Sequence, residues 1–514
     1  MLTQIGAAGH AAPCRAMTAR VAIALLVLVG LGQGCYTHRP LRQEVSLAIE
    51  GWQRPYVQSE SGERSGHAAS ESTPGAGATE ANDDHDSSGS SQSVSQLQQW
   101  IIDTLARNPS VLAAMADARA KLEHVAQVTA LPDPLLRFAV RPEPIRTAAG
   151  NVHFTFAVGQ KIPLPARLER TGRIAEAEVR MAIEQLNATR LQVIADVERA
   201  FYQVYLNDRS LELTRAHRVS LEDLEQVVAT QYRVGKAEQH DLLRTQTEIA
   251  KLRDDESRLT RRRESAVAAL NRLSDHPPTR AVHITGPIRP QKLDADGEQL
   301  IALAVEHNPD LAILIYQAKR DKERVKLADL RYWPDVTIGA EWTYLEPRDA
   351  FEPPNTPREA VNRMSETGTD SWALMLQFNV PIWFDRIESA KQEARSRLLK
   401  TQHQRRAAIN QTTFRVFDAW TRVQTQQDTI EVLETTLIPQ VRQTYNVSLA
   451  AYEAGRSSFL VLIDNWRQLL DFELMLHREL AELETAFSQL QREVGLQLIR
   501  REIISKPQGQ GEQP

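Results

Sequence analysis

The stretch LIALAVEHNPDLAILIYQAKR at 300–320 repeats WIIDTLARNPSVLAAMADARA at 100–120, with Asn308-Pro309 lying 200 positions after Asn108-Pro109. Downstream, Gln160-Lys161-Ile162-Pro163-Leu164 corresponds to Phe378-Asn379-Val380-Pro381-Ile382, and Gln231-Tyr232-Arg233-Val234-Gly235 to Ala451-Tyr452-Glu453-Ala454-Gly455. Three landmarks in one order, at offsets of 200, 218 and 220, mark a duplicated domain, since a period this long is not that of a solenoid. The repeats run over 97–280 and 298–497, with a proline-containing connector at 281–297.

Each repeat has the same internal order. A helix bearing Asn-Pro comes first, then two segments of strict alternation. Val336, Ile338, Ala340, Trp342 and Tyr344 point one way, against Thr337, Gly339, Glu341 and Thr343. Trp372, Leu374, Leu376, Phe378 and Val380 form the next apolar set; Leu136, Phe138, Val140 and Val152, Phe154, Phe156, Val158 do the same in the first repeat. Period 2 predicts half-exposed strands. Beyond Pro165 no proline occurs until Pro277, and beyond Pro381 only Pro439 precedes Pro507. Apolar residues there recur at spacings of 3 and 4 (Ile194, Val197, Phe201, Val204), which predicts helices of unusual length. Residues 166–232 would reach about 100 Å at 1.5 Å per residue. Gly235 and Gly455 are placed to turn them back in the left-handed conformation.

Composition narrows the function classes. Sixty-one basic against 66 acidic residues among 514 give a net charge of −5, which argues against nucleic acid as a partner. Two cysteines exclude a disulfide framework or a cysteine-rich metal site. The longest strongly apolar run, Val21 to Leu31, is about half of what a spanning helix needs. That run, with Arg20 before it and Gly-Gln-Gly-Cys after it, reads as a signal peptide over 1–34, starting at Met1 or Met17. Cys35 stands where a lipoprotein receives its lipid, although Gly32 replaces the usual leucine. Tyr36 rather than aspartate follows, which permits transport to the outer membrane. Residues 35–96, rich in Ser, Gly and acidic side chains, are expected to be a flexible tether, and 498–514 a disordered tail.

Amphipathic strands of about ten residues wall either a soluble sandwich or a membrane barrel. Four of eight tryptophans lie between 333 and 383. Trp333 and Trp383 fall at one level of the strand pair, and Trp342, Tyr344 and Trp372 at the other, as in the two aromatic girdles of an outer-membrane barrel. Four strands cannot close a barrel and lipid tolerates no open edge, so the chain must oligomerise to cross.

The duplicated Asn-Pro helix, the strand pairs ending before Pro163-Leu164 and Pro381-Ile382, the long helices and the Tyr-x-x-Gly turns together resemble the TolC-like outer-membrane efflux protein family over about 97–497. The resemblance implies an α+β membrane protein: long α-helical hairpins forming a periplasmic tunnel, and four transmembrane β-strands per chain completing a 12-stranded barrel as a homotrimer. It implies the passive exit duct of a tripartite pump, embedded in outer-membrane lipid. Its partners would be a periplasmic adaptor (membrane fusion) protein and an inner-membrane transporter of the RND type. The turns at Tyr232, Arg233 and Gly235, and at Tyr452, Gly455, Arg456 and Ser457, resemble the tips that meet the adaptor. Asp464 matches the position of a gate carboxylate, and Asp241 takes the offset in the first repeat that Val461 takes in the second. A type I secretion channel shares these features. A soluble coiled-coil adaptor lipoprotein would not need aromatic-capped strands or a full-length duplication. No His-Glu-x-x-His, Gly-x-Ser-x-Gly or phosphate-loop pattern occurs, so neither an enzyme nor a cofactor or metal site is expected.

Overall fold

The two periodicities of the sequence separate into two kinds of element. The computed structural model describes residues 39–50, 87–147, 149–235, 237–288, 291–293, 295–346, 368–496 and 501–502. In the first half α1 (Arg39–Glu50), α2 (Ser87–Arg107) and α3 (Pro109–Thr129) precede β1 (Leu135–Thr147) and β2 (Gly150–Ile162), and α4 (Pro165–Arg233) and α5 (Gln239–Leu273) follow. The second half repeats this order with α6 (Gly297–His307), α7 (Pro309–Asp329), β3 (Val336–Glu346) and β4 (Ser371–Phe378). It ends with α8 (Phe384–Val432), a π-turn at Leu433–Leu437, α9 (Ile438–Glu453) and α10 (Phe459–Val494). Among the described residues no helix is long and apolar enough to cross a membrane.

The chain divides into two compact units, one gathering 1–44, 122–176 and 319–398, the other 45–121, 177–318 and 399–514. In the first, the four strands form one antiparallel sheet in the order β1-β2-β3-β4, so hairpins from the two repeats meet at the central β2–β3 pair. In the second, Ile101 and Val111 pack on Ile194, Val197, Phe201 and Leu270, and Leu300 and Ala304 pack likewise on Val416, Val423, Leu483 and Leu490. The 69 residues of α4 meet the expectation of an unbroken helix. The matching run in the second repeat carries Pro439, which cannot donate to the i−4 carbonyl. The π-turn just ahead of Pro439 widens the helix there and lets it continue into α9.

The Asn-Pro landmark has one physical job in both repeats. Asn308 Oδ1 accepts the N–H of Asp310 at 2.9 Å and of Leu311 at 3.3 Å, capping α7, and Pro309 occupies the first helical position, where no N–H is needed. Its Nδ2 donates to Glu493 O at 2.7 Å, in the last turn of α10. Asn108 caps α3 through Ser110 and Val111 in the same way and donates to Leu273 O at 2.8 Å. One buried amide thus closes each repeat, its start held to its end. Replacing Asn308 with Ala should cost about 2 kcal/mol, from a lost cap and a buried carbonyl without its donor. Asn308→Ser, which restores only the cap, should fall between. Thermal unfolding in detergent reads both, and an Ala variant that melts with the parent refutes the assignment.

Three features differ from expectation. The segment expected to be a tether contains α1, because Leu41 and Val45, four residues apart, share a face and are buried, and α2 begins at Ser87. Val152 does not share the face of Phe154. The register shifts at His153, so Val152 opposes Leu345 while Phe154 opposes Tyr344, and one extra residue turns the side chain over. Val380 lies just beyond the end of β4. The signal peptide, Cys35, most of the 345–370 loop and nearly all of the 498–514 tail lie outside the described residues.

Candidate functional site

The sheet sorts most of its side chains by chemistry, although Gln160 stands beside Ile338 and Leu376 on the apolar face, and Leu345 and Met375 lie on the polar one. The ladders Phe138↔Phe156↔Trp342↔Trp372 and Leu136↔Val158↔Ala340↔Leu374 put only apolar residues on one face, and Val140, Phe154, Tyr344, Leu376 and Phe378 extend it. This face is open: Leu374 is 90% exposed, and Leu136, Phe138, Val140, Trp372 and Leu376 are exposed as well. So large a contiguous apolar surface marks a membrane or partner contact. The other face holds Thr155, Ala157, Gly159 and Lys161, with Thr337, Gly339, Glu341 and Thr343 opposite. There Arg137 Nη2 meets Glu341 Oε2 at 2.9 Å, and Asp335 bridges Arg167 at 2.6 Å and Lys161 at 3.2 Å. The 11 residues of β3 span about 37 Å at 3.4 Å each, or about 28 Å of height at a 40° tilt, close to the apolar band of a membrane barrel.

Aromatic rings gather at both ends of the sheet. Phe154 stacks on Tyr344 with centroids 4.9 Å apart, and Trp342 lies 6.4 Å from Trp372. Toward the helix-joined ends Tyr332 stacks on Phe384 at 6.5 Å, beside the exposed Trp333 and Trp383. The five residues expected as girdles, Trp333, Trp342, Tyr344, Trp372 and Trp383, are among them.

The helix tips are built alike but are not equivalent. Gly455 has φ +68°, its N–H donates to Tyr452 O at 2.9 Å and that of Arg456 to Ala451 O at 2.8 Å, which closes α9 in a Schellman turn. Gly235 has φ +74° and bonds to Tyr232 O at 3.0 Å. The tyrosines then part: Tyr232 is 43% exposed and Tyr452 only 7%. Tyr452 packs edge-on against Phe459 in a core with Leu224, Val228, Ile249 and Trp466, so the two hairpins share one interior. Burial, with the nearby Asp241 charge, pushes its hydroxyl above the usual tyrosine range. Tyr452 is therefore part of the tip's interior rather than of its exposed surface. Exposed Tyr232, Arg233, Gly235, Gly455 and Arg456, with half-buried Ser457, remain.

The two aspartates fall in different settings. Asp241 sits in the first turn of α5, where Oδ2 accepts the N–H of Glu238 at 3.4 Å and Oδ1 lies 3.0 Å from His240 Nε2. Helix capping accounts for it, and it bonds to none of the partners of Asp464. Asp464 is 58% exposed and meets Arg467 Nη1 at 3.1 Å. Arg467 also reaches Glu248 Oε1 at 2.6 Å, and Lys251 reaches the same oxygen at 2.7 Å, so the arginine joins α10 to α5. Burial raises the Glu248 carboxyl, but the bonds from Arg467 and Lys251 outweigh it and hold it below the usual carboxylate range. Sequence patterning did not single out Glu248 or Arg467, since each resembles any charge on a solvated helix.

Residues 100–275 and 300–496 match the outer membrane efflux protein family, which covers both repeats. The chain belongs to that family. It is an outer-membrane transport protein rather than an enzyme. Its fold is similar to that of VceC from Vibrio cholerae, with TM-score 0.64, 18% identity, and coverage of 78% of this chain and 96% of that one. It is similar also to the CmeC outer membrane channel of Campylobacter jejuni, with TM-score 0.64, 11% identity, and 82% and 94% of the two chains. The open-state MtrE channel of Neisseria gonorrhoeae gives TM-score 0.63, 17% identity, and 78% and 89%. An uncharacterized protein of Haemophilus influenzae is 23% identical to this efflux protein over 347 residues, 64% of this chain and 72% of its own.

Proposed function

We propose that this efflux protein is the passive outer-membrane duct of a tripartite pump. Three copies close their sheets into a 12-stranded barrel with the apolar face toward lipid and the polar face toward water. The observation that carries this reading is the sheet itself, with one exposed and largely apolar face and, among the described residues, two unpaired edges at β1 and β4. In lipid an unpaired edge costs several kcal/mol per unmet polar group, so closure among copies removes the cost. The two aromatic clusters take the interfacial levels, and a lipid on Cys35 adds an anchor without a second span. The exposed tip residues form the docking surface for a periplasmic adaptor fed by an RND-type transporter. Asp464 lines the tip, and the Arg467–Glu248 bridge holds it closed. Membrane fractionation with an unheated detergent gel tests this. The expected result is an outer-membrane species that runs as a trimer and falls to the monomer on boiling. A monomer in the soluble periplasm would falsify the duct.

A further inference from the structure

We infer that the polar face of the sheet makes the barrel end of the duct anion-preferring, with Arg141 as the residue that sets the preference, so that anionic cargo meets the lower barrier there. The inference rests on the duct reading, because the polar face lines a lumen only when copies close a barrel.

Its basis is the charge inventory of that face. The described strands and their helix-joined ends place four cations there, Arg137, Arg141, Lys161 and Arg167, against two carboxylates, Glu341 and Asp335. Glu341 is taken by Arg137, and Asp335 by Lys161 and Arg167 together. Arg141 has no acidic partner among the described residues. Its Nη1 donates to Thr155 Oγ1 at 3.1 Å, and that hydroxyl lies 3.5 Å from Thr343 Oγ1. The threonines orient the guanidinium across the polar face without neutralising it. Beyond this level β1 carries Glu143 and Arg146, Glu346 is engaged by His153, and Asp370 accepts the Trp342 indole and the Leu345 N–H.

Strand alternation puts the arginine there, since Arg137, Ala139 and Arg141 share one parity of β1. The β1–β2 ladder lapses between Val140 and Ile145, where Pro142 and Pro144 have no N–H to give. Three copies would set three positive charges at one level of a water-filled lumen with low-dielectric walls, where like-charged ions are repelled and counter-ions concentrated. The sign of these charges is opposite to that of an acidic tip at Asp464.

The test is the zero-current potential of the purified full-length protein in planar bilayers under a KCl gradient. Arg141→Gln should raise the K⁺/Cl⁻ permeability ratio about two-fold, Arg141→Glu should raise it further, and Arg141→Lys should resemble the parent. Thr343→Lys adds a cation at the same level while keeping Arg141 and its bond to Thr155, and should move the ratio the other way. An Arg141→Gln channel with unchanged zero-current potential overturns the inference, as does a Thr343→Lys channel that does not shift. Trimers that insert yet never conduct, parent included, would instead overturn the duct reading and carry this inference down with it.

Discussion

Replacing Leu374 with Arg is expected to abolish the outer-membrane trimer, whereas replacing its neighbour Met375 with Arg leaves trimers intact. Leu374 is 90% exposed at the middle of β4, on the apolar face and in the ladder with Leu136, Val158 and Ala340. Arginine facing lipid at the middle of a barrel strand costs about 2–4 kcal/mol, and symmetry would incur that cost three times. This is comparable to the whole stability of an ordinary domain, about 5–15 kcal/mol. Met375 pairs with Gly339 on the polar face, where a charge would stand in the aqueous lumen. The readout is the heat-dependent gel shift of each variant in isolated outer membranes. Equal behaviour of the two variants would mean that the sheet is not a membrane wall. The contrast is between adjacent residues of similar size, so general damage to β4 cannot imitate it.

The second large effect is expected at the tip. Replacing Arg467 with Ala should raise bilayer conductance several-fold and lower stability by about 2 kcal/mol, because Glu248, only 7% exposed, keeps Lys251 but loses its cross-helix partner. Asp464→Ala removes a 58% exposed partner of the same arginine and should have a smaller effect on both readings. Acidification gives a parallel readout. The Glu248 carboxyl is held below its usual range in the folded protein, so its contribution to stability is complete above the unfolded value, about 4.3. That contribution is lost as pH falls through the lower folded value. The closed tip should therefore loosen on acidification below about pH 4, and the Glu248→Gln variant should lack that step. Conductance that is unchanged in Arg467→Ala removes the bridge from the gate.

Much of this architecture is written in local pattern. The alternation of Val336 to Tyr344 and of Trp372 to Phe378 named the apolar face correctly, because side-chain direction in a regular strand depends only on parity. Parity fails where the ladder gains a residue: nothing local marks His153 as a bulge, and Val152 consequently faced the other way. The Asn-Pro repeat announced itself as a landmark, and its cap follows from residue type. That the same amide reaches Leu273 in one repeat and Glu493 in the other depends on partners 165 and 185 residues away.

The tips show the same division. Tyr232 and Tyr452 occupy matching places in matching motifs, yet one is at the surface and the other inside. The cause is that the two hairpins pack on each other asymmetrically, closing Phe459, Trp466 and Val228 around one tyrosine and not the other. Duplication, helix length, strand faces and membrane class were thus set by period and residue type, properties that a chain carries before it folds. Which tyrosine is buried, which carboxylate the Arg467 bridge selects, and which cation on the polar face lacks a counter-charge were settled by packing. Each of these depends on distances between elements far apart in sequence, and local periodicity carries no information about them.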